Sequence, residues 1–339
     1  MCFYFWSDVL LFSLSDALLL LQAADEKERK SESADDELTK LKPAATDTTA
    51  IAASSSSSKG GEGCQGGVEL EKEYVSRMTP LRFDHVALLH VGAGQVQVPY
   101  QFRALVAAEQ RAGDRARVSR ILNDITTLST SLPIEFGSSI FVRCDEDRYD
   151  VLKALIIGPV GTPYASGCFE FDIFLPHSYP NVPPNVSLRT TGNGTVRFNP
   201  NLYNCGKVCL SLLGTWAGPS WDPKSSTLLQ VLISIQALIL VPDPYFNEPG
   251  YENSMGSAAG KKQSEAYNKN IQRMTVQHAI LGQLKACLGT AATDSTIVFR
   301  NVMMTHFAIK KRAIVEQLTD WGMGKDAMAI QVQGLLQSL

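Results

Sequence analysis

Residues 198–210, FNPNLYNCGKVCL, hold two cysteines, Cys205 and Cys209, four positions apart, and contain no histidine. A pair of cysteines at this spacing suits one half of a zinc site. A second pair of Cys or His residues at ligand spacing is missing, and the five histidines are scattered along the chain. The sequence therefore predicts no metal site at these cysteines.

A thiol hydrolase is the second interpretation of Cys209. Such an enzyme needs a histidine within hydrogen-bond reach of the thiolate and a third group that supports the histidine. His177 is the one histidine among the predicted strands and loops, and it lies in the turn-like sequence LPHSYP. No local motif supports a triad, but the residues alone leave this alternative open.

Acyl transfer through a thioester is the third interpretation. A cysteine that exchanges one thioester for another needs no strong general base, so the missing histidine favours this chemistry. Attack by an amine creates an oxyanion, which an amide donor stabilises, and Asn201 precedes Cys209 in an Asn-Pro-Asn turn. An attacking lysine is mostly protonated at neutral pH. Glu248 or Asp243, in PDPYFNEPGYE, offers a carboxylate to help deprotonate it.

A structural role for Cys209 is the fourth interpretation, because isolated cysteines are most often buried. The surrounding sequence KVCLSLL is apolar enough for a core position. The chemistry of these residues therefore leaves a reactive and a structural Cys209 equally open.

The composition of the 339-residue chain suits a globular core, with 45% hydrophobic and 19% charged residues. The net charge of -3 and the lack of a basic block argue against nucleic acid as a partner. Seven cysteines without dense, even spacing favour a reducing compartment, so we expect a cytoplasmic protein.

The N-terminal part of the chain divides into three predicted segments. Residues 1–24 are apolar, but Asp8 and Asp16 interrupt them and no lysine or arginine lies before Lys27, so a signal peptide, or membrane association through residues 1–22, is the minor alternative. Residues 25–73 predict a disordered linker, because their acidic, Ser-rich and Gly-rich sequence buries little apolar surface. Residues 74–114 predict an N-terminal extension with one or two strands.

Upstream of the cysteines the sequence predicts a helix and an antiparallel meander. The helix begins near Arg115, because apolar residues recur at helical spacing. They are Val118, Ile121, Leu122, Ile125 and Leu128. Strand-like runs follow at 138–144, 151–158, 168–176 and 185–190. The short segments between these runs favour antiparallel pairing.

Downstream of the cysteines the sequence predicts helices. The apolar stretch 225–241 predicts a buried central helix with Ser225 or Ser226 as its N-cap. Amphipathic helices are predicted at 264–288 and at roughly 296–321. These elements together indicate an α+β domain whose cysteine segment lies outside regular structure.

Several motifs resemble the catalytic domain of ubiquitin-conjugating enzymes: GPVGTPYASGCFEFDIFLPHSYPNVPPNV at 158–186, the Asn-Pro-Asn segment with its spacing to Cys209, and SWDP. LSTSLP, LQVLISIQALIL and PYFNEPGYE are similar to the conjugating domain of the giant inhibitor-of-apoptosis ubiquitin ligases. The resemblance implies the ubiquitin-conjugating fold at 115–290: N-terminal helix, four-stranded antiparallel meander, active-site loop and central helix. It also implies that a C-terminal helical extension, 291–339, packs beside this core.

The resemblance implies a role for each site residue. Cys209 is expected to accept ubiquitin as a thioester from an activating enzyme and to pass it to a substrate lysine. Asn201 is expected to stabilise the loop or the oxyanion, and Glu248 to be an acidic gate residue beside the attacking lysine. Tyr203 and Leu202 are expected to line the approach to the thioester.

The implied partners are ubiquitin, the activating enzyme, ubiquitin ligases and protein substrates. The domain is expected to bind no metal or organic cofactor, because the activating enzyme consumes the ATP. Ligase-like activity, as in the larger relatives, is a further implication. A catalytically inactive ubiquitin-binding scaffold and a thiol hydrolase are the alternatives.

Two features depart from the general pattern of the family. Asn199 stands where most members have histidine, although the inhibitor-of-apoptosis subgroup also has asparagine there. The loop 214–223 is shorter than in that subgroup. Cys205 has no role in the general mechanism, and we expect an exposed thiol, with a disulfide to Cys209 as the redox alternative.

Overall fold

The computed structural model describes residues 62–89, 98–109, 115–289 and 298–339. The apolar segment 1–24 and the predicted linker up to residue 61 lie outside these ranges, so the predictions made for them stay predictions.

A five-stranded sheet forms the centre of this part of the chain, with its strands side by side in sequence order. The strands are β1 (Phe83–Val86), β2 (Ile140–Asp145), β3 (Val151–Ile157), β4 (Cys168–Phe174) and β5 (Asn185–Leu188). Strands β2 to β5 pair antiparallel, which confirms the predicted four-stranded meander. Strand β1, from the N-terminal extension, adds a parallel edge beside β2.

Helices lie on both sides of the sheet. In the described ranges they are α1 (Glu62–Met78), α2 (Arg103–Ala108), α3 (Arg115–Ser131), α4 (Leu228–Ser234), α5 (Ala258–Met274), α6 (Gly282–Leu288), α7 (Arg300–Asp320) and α8 (Ala327–Gln337). One π-helical turn, Ile235–Ile239, continues α4, and another, Thr275–Leu281, joins α5 to α6. None of the described helices combines the length and apolar character needed to cross a membrane.

Helices α3 and α4 cover one face of the sheet, which we call the inner face. Ile121, Ile125 and Leu128 of α3 are buried there, as the helical spacing predicted. Val118 and Leu122, which we counted in the same apolar stripe, are instead exposed by 44% and 43%. The buried face of the helix therefore differs slightly from the predicted apolar stripe and includes Asp124. The Asp124 carboxylate accepts a hydrogen bond from the Tyr179 hydroxyl at 2.6 Å.

The predicted N-cap of the central helix was wrong. Helix α4 begins after Thr227, whose hydroxyl accepts a hydrogen bond from the Gln230 amide at 3.2 Å. The Gln230 side chain accepts one in return from the Thr227 amide at 3.0 Å, which completes a capping box. Ser225 and Ser226 belong to the preceding turn, where both bond to Asp222.

Helices α1, α7 and α8 cover the outer face of the sheet. Their apolar side chains form one cluster with the outward residues of the strands, such as Phe141 and Leu155. Helices α7 and α8 thus pack against the sheet. The structure also corrects the predicted linker, because residues 62–73 belong to α1. Tyr74 and Met78, near the end of this helix, are fully buried. A prediction of disorder from composition does not take this tertiary burial into account.

Candidate active site

Cys209 lies in a short hairpin that follows β5. The Cys209 amide donates to the Asn201 carbonyl at 2.8 Å, and Leu202 bridges Val208 one step closer to the tip. Gly206 turns the tip with a φ of 91°, a conformation that favours glycine. A Cβ at this position would lie 2.7 Å from the Leu188 carbonyl oxygen. The glycine therefore lets the hairpin dock against the end of β5.

The side chain of Asn201 fixes the backbone of Cys209. Its Nδ2 donates to the Cys209 carbonyl oxygen at 2.9 Å, so the two residues are joined by backbone and side chain. Asn201 is 7% exposed and Cys209 is 2% exposed. The side-chain amide of Asn201 uses one N–H for this bond, and no described acceptor bonds to its second N–H.

Thr215 fixes the same stretch of backbone from the opposite loop, and the sequence reasoning missed it. Its hydroxyl donates to the Val208 carbonyl at 2.8 Å and accepts from the Leu210 amide at 3.0 Å. The residues on both sides of Cys209 are thus held by a single threonine. A threonine six residues beyond a reactive cysteine is the only sequence signal, and it is weak.

Asn199 connects the Asn-Pro-Asn turn to two distant parts of the fold. Its Nδ2 donates to the Ile239 carbonyl at 2.7 Å and to the Tyr164 hydroxyl at 3.0 Å. Its Oδ1 accepts from the Asn201 amide at 2.8 Å. Asn199 has no exposed surface. With the Asn247 side chain, which donates to the same Oδ1 at 3.5 Å, one neutral amide meets four polar groups without a group that titrates near neutral pH.

Cys209 is buried, with 2% of its surface exposed, but it is not a member of the inner hydrophobic cluster. Val208 and Leu210 belong to the inner cluster, whereas Cys209 does not, because alternate residues of an extended segment point to opposite sides. Cys144, Cys168 and Cys287 do belong to the apolar clusters, and burial raises the pKa of each of these thiols. The position of Cys209 in the hairpin thus differs from that of the core cysteines.

None of the histidines in the described ranges contacts Cys209. His177, the base that a hydrolase would need, lies exposed in a turn and makes no described contact with the thiol. Within the described ranges no side chain bonds to the sulfur atom of Cys209. The same ranges contain no group of three or more His, Cys, Asp or Glu side chains that could hold a metal ion.

Cys205 is an exposed, free thiol at the hairpin tip, as predicted. Two rungs of the hairpin, Tyr203 with Lys207 and Leu202 with Val208, separate it from Cys209. Two residues along a strand span about 6.6 Å, before the width of the turn is added. A disulfide needs Cα atoms within about 7 Å, so the redox alternative requires the hairpin to rearrange.

Glu248 follows the short helical turn Pro244–Asn247 and forms an ion pair with Arg197, at 3.2 Å between Oε2 and Nη2. Asp243, the other predicted carboxylate, accepts instead from the Ser264 hydroxyl at 2.6 Å and so ties the loop to α5.

The two residues expected to line the approach to the thioester have different surroundings. Tyr203 is half-buried and lies under the Arg197 guanidinium, 4.5 Å from ring centroid to Cζ. The prediction for Leu202 was wrong, since its side chain is fully buried in the inner cluster. Leu202 faces inward opposite Val208, which the alternation along the hairpin explains.

Comparison with known proteins gives consistent matches to this chain. The model of a family described as "Ubiquitin-conjugating enzyme" matches residues 120–275. A Homo sapiens protein named dual E2 ubiquitin-conjugating enzyme/E3 ubiquitin-protein ligase BIRC6 is 46% identical over 258 residues, which are 74% of this chain and 5% of that protein.

Shorter relatives match over a larger share of their own length. A Caenorhabditis elegans protein named probable ubiquitin-conjugating enzyme protein 17 is 42% identical over 262 residues, 76% of this chain and 35% of that protein. An Arabidopsis thaliana protein named putative ubiquitin-conjugating enzyme E2 38 is 41% identical over 225 residues, 66% of this chain and 64% of that protein. This chain therefore spans less than two thirds of each of these relatives.

Proposed function

Since this chain belongs to the ubiquitin-conjugating enzyme family through its domain at residues 120–275, we propose that it accepts ubiquitin as a thioester on Cys209 and transfers it to a lysine of a protein substrate. The proposed partners are ubiquitin, a ubiquitin-activating enzyme, ubiquitin ligases and protein substrates. The reaction requires a free Cys209 thiol, which fits the reducing cytoplasm.

The double contact between Asn201 and Cys209 carries this proposal. It holds the backbone of a thiol that is not a member of the apolar clusters and has no described histidine partner. Exchange between two thioesters needs orientation of the sulfur more than it needs a base, because the attacking and leaving thiols are chemically alike. A hydrolase would need a base to activate water, and His177 does not reach the site.

The proposed reaction has two steps. The Cys209 thiolate attacks the carbonyl carbon of the ubiquitin thioester on the activating enzyme, and the thiol of that enzyme leaves. A substrate lysine then gives up a proton to Glu248, and its amine attacks the new thioester. The tetrahedral oxyanion accepts a hydrogen bond from the Asn201 amide. The bond from carbon to the Cys209 sulfur breaks and the sulfur takes the second proton of the nitrogen, which leaves an amide and the free thiol, while Glu248 releases its proton to water.

Ligase-like activity is the finer part of the proposal. The Homo sapiens relative is named as a dual conjugating enzyme and ligase, which supports transfer to a substrate without a separate ligase. Incubation with activating enzyme, ATP and ubiquitin alone tests this, because modified protein should appear in the absence of any added ligase.

A thioester assay tests the main proposal. The protein is incubated with activating enzyme, ATP and ubiquitin, and analysed on a non-reducing gel. We expect a ubiquitin-sized shift that reductant removes and that Cys209→Ala abolishes. Cys205→Ala is the matched control, since it removes the exposed thiol of the same hairpin. No shift with folded protein would favour a binding scaffold instead, and a shift that persists in Cys209→Ala would contradict the assignment of the thioester to Cys209.

A further inference from the structure

Arg197 connects the two loops that carry the proposed chemistry. Its Nη2 donates to the Pro200 carbonyl at 2.8 Å, inside the Asn-Pro-Asn turn. The same nitrogen lies 3.2 Å from Oε2 of Glu248, which is 51 positions further along the chain. The flat guanidinium rests on the ring of Tyr203. Three contacts therefore fix one side chain between the cysteine hairpin and the loop after α4.

Glu248 depends on Arg197 for its orientation. Among the described residues Arg197 is the one side chain that bonds to this carboxylate, and it contacts only Oε2. Oε1 is left without a described partner. The side chains of the pair are 43% and 36% exposed, so a carboxylate released from Arg197 would rotate in solvent.

The electrostatic surroundings place a third group beside the pair. Burial raises the pKa of Tyr267 to about 12, while the charge of Arg197 lowers it and that of Glu248 raises it. Tyr267 also packs 6.0 Å from Tyr245, at the start of the loop that carries Glu248. Tyr203 thus lies below Arg197, and Tyr267 is near enough for the charges of both Arg197 and Glu248 to shift its pKa.

We propose that Arg197 is a positioning residue for ubiquitin transfer, an inference that rests on the function proposed above. Arg197 holds Glu248 by one oxygen against the Asn-Pro-Asn turn, and the other oxygen remains free for the acceptor lysine. The lysine ammonium gives one proton to Oε1, and its amine then attacks the thioester carbon. The carbon–nitrogen bond forms as the carbon–sulfur bond breaks, the sulfur takes the second proton, and Oε1 releases the first proton to water.

This role differs from a contribution to stability. Exposed ion pairs add little to the free energy of unfolding, so the fold and the loading of Cys209 should tolerate a change at Arg197. The substitution should slow the step in which Glu248 takes a proton from the lysine ammonium, before the amine attacks. The deficit should therefore depend on pH and shrink once the amine has lost its proton without help.

Single-turnover discharge tests the proposal. Cys209 is loaded with ubiquitin, ATP is removed, and free lysine is added at a series of pH values from 7 to 10.5. For Arg197→Met we expect loading within twofold of the unmodified protein and discharge at pH 7.5 slowed three- to tenfold. At pH 10.5 the two proteins should discharge within twofold of each other. Arg197→Lys keeps the positive charge and should recover at least half of the rate.

Two further variants separate the roles. Arg312→Met breaks a comparable exposed ion pair, that with Glu316 on α7, and should discharge like the unmodified protein. Adding Arg197→Met to Glu248→Gln should slow discharge by less than twofold beyond Glu248→Gln alone, if Arg197 acts through Glu248.

The outcomes that contradict the proposal are distinct from those that contradict the function. Normal loading with unaltered discharge of Arg197→Met would overturn the role of Arg197 alone. A deficit that stays the same at pH 10.5, or that is as large in the Glu248→Gln background, would assign Arg197 a structural role instead. Failure of the unmodified protein to load ubiquitin would overturn the proposed function, and with it this inference.

Discussion

Replacing Asn201 with alanine should separate the contribution of the hairpin to stability from its contribution to transfer. The substitution removes the side-chain amide that donates to the Cys209 carbonyl at 2.9 Å. It leaves the backbone bond from the Cys209 amide to the carbonyl of residue 201 in place. The hairpin therefore keeps its register, while one buried carbonyl loses its side-chain donor.

The magnitude follows from burial. Cys209 is 2% exposed and its neighbours are buried too, so water does not readily replace the lost donor. An unsatisfied buried acceptor costs about 1–3 kcal/mol, and we expect the free energy of unfolding to fall by about that amount. Loss of a donor to the oxyanion slows comparable reactions by roughly 10²–10³. We expect discharge to lysine to slow at least tenfold.

Urea unfolding and single-turnover discharge give the two readouts. Asn204→Ala is the matched control, because Asn204 lies in the same hairpin and donates to the Gly194 carbonyl at 3.0 Å from an exposed position. That variant should unfold within about 0.5 kcal/mol of the unmodified protein and discharge within twofold of it. An Asn201→Ala variant that behaves like Asn204→Ala in both assays would refute the role given to the Asn201 amide.

Three further changes test the surroundings. Thr215→Val should slow discharge severalfold and lower the free energy of unfolding by about 1–2 kcal/mol, because the backbone on both sides of Cys209 loses its hydroxyl partner. Urea unfolding and single-turnover discharge measure the two effects, and unchanged values would contradict the role of Thr215. Burial lowers the pKa of His306 to about 3, from 6.5 in the unfolded chain, so the unfolded state binds the proton first and stability should fall as pH drops from 6.5 towards 3. His306→Gln should flatten that fall in pH-dependent urea midpoints, and an unchanged slope would contradict the assignment. Burial also lowers the pKa of Lys310 to about 8, from 10.5 in the unfolded chain, so the free energy of unfolding should rise between pH 8 and 10.5. Lys310→Met should be more stable than the unmodified protein at pH 7 and should lose that rise. A destabilised variant would show that the contacts of the buried ammonium compensate for its burial.

The part of the site that is local in sequence could be predicted, because a tight hairpin forces its own pairing. Asn201 and Cys209 are eight positions apart, and the glycine at the tip brings them face to face. The contact between Arg197 and Glu248 could not be predicted in the same way. Those residues are 51 positions apart, and only the packing of α4 brings their loops together.

Two wrong predictions have a common physical cause, because each judged a segment without its partners. Residues 62–73 have a composition typical of disorder, yet they fold as part of α1, which tertiary burial of Tyr74 and Met78 stabilises. Leu202 was expected from the family resemblance to line the approach to the thioester. The alternation along the hairpin, with Leu202, Val208 and Leu210 inward, would have assigned it to the core.

The covering of the outer sheet face has a consequence for the order in which the chain can fold during synthesis. The hydroxyl of Tyr74 in α1 bonds to His306 in α7, and 232 positions separate these two residues. A ribosome adds about 5–20 residues per second, so roughly 10–50 s pass between the two. During that interval the strands and the cysteine hairpin are already made, while Phe141 and Leu155 still lack α7 and α8 as cover. The nascent enzyme therefore exposes an apolar sheet face until its last helices arrive, and it is in this window that a chaperone would bind it.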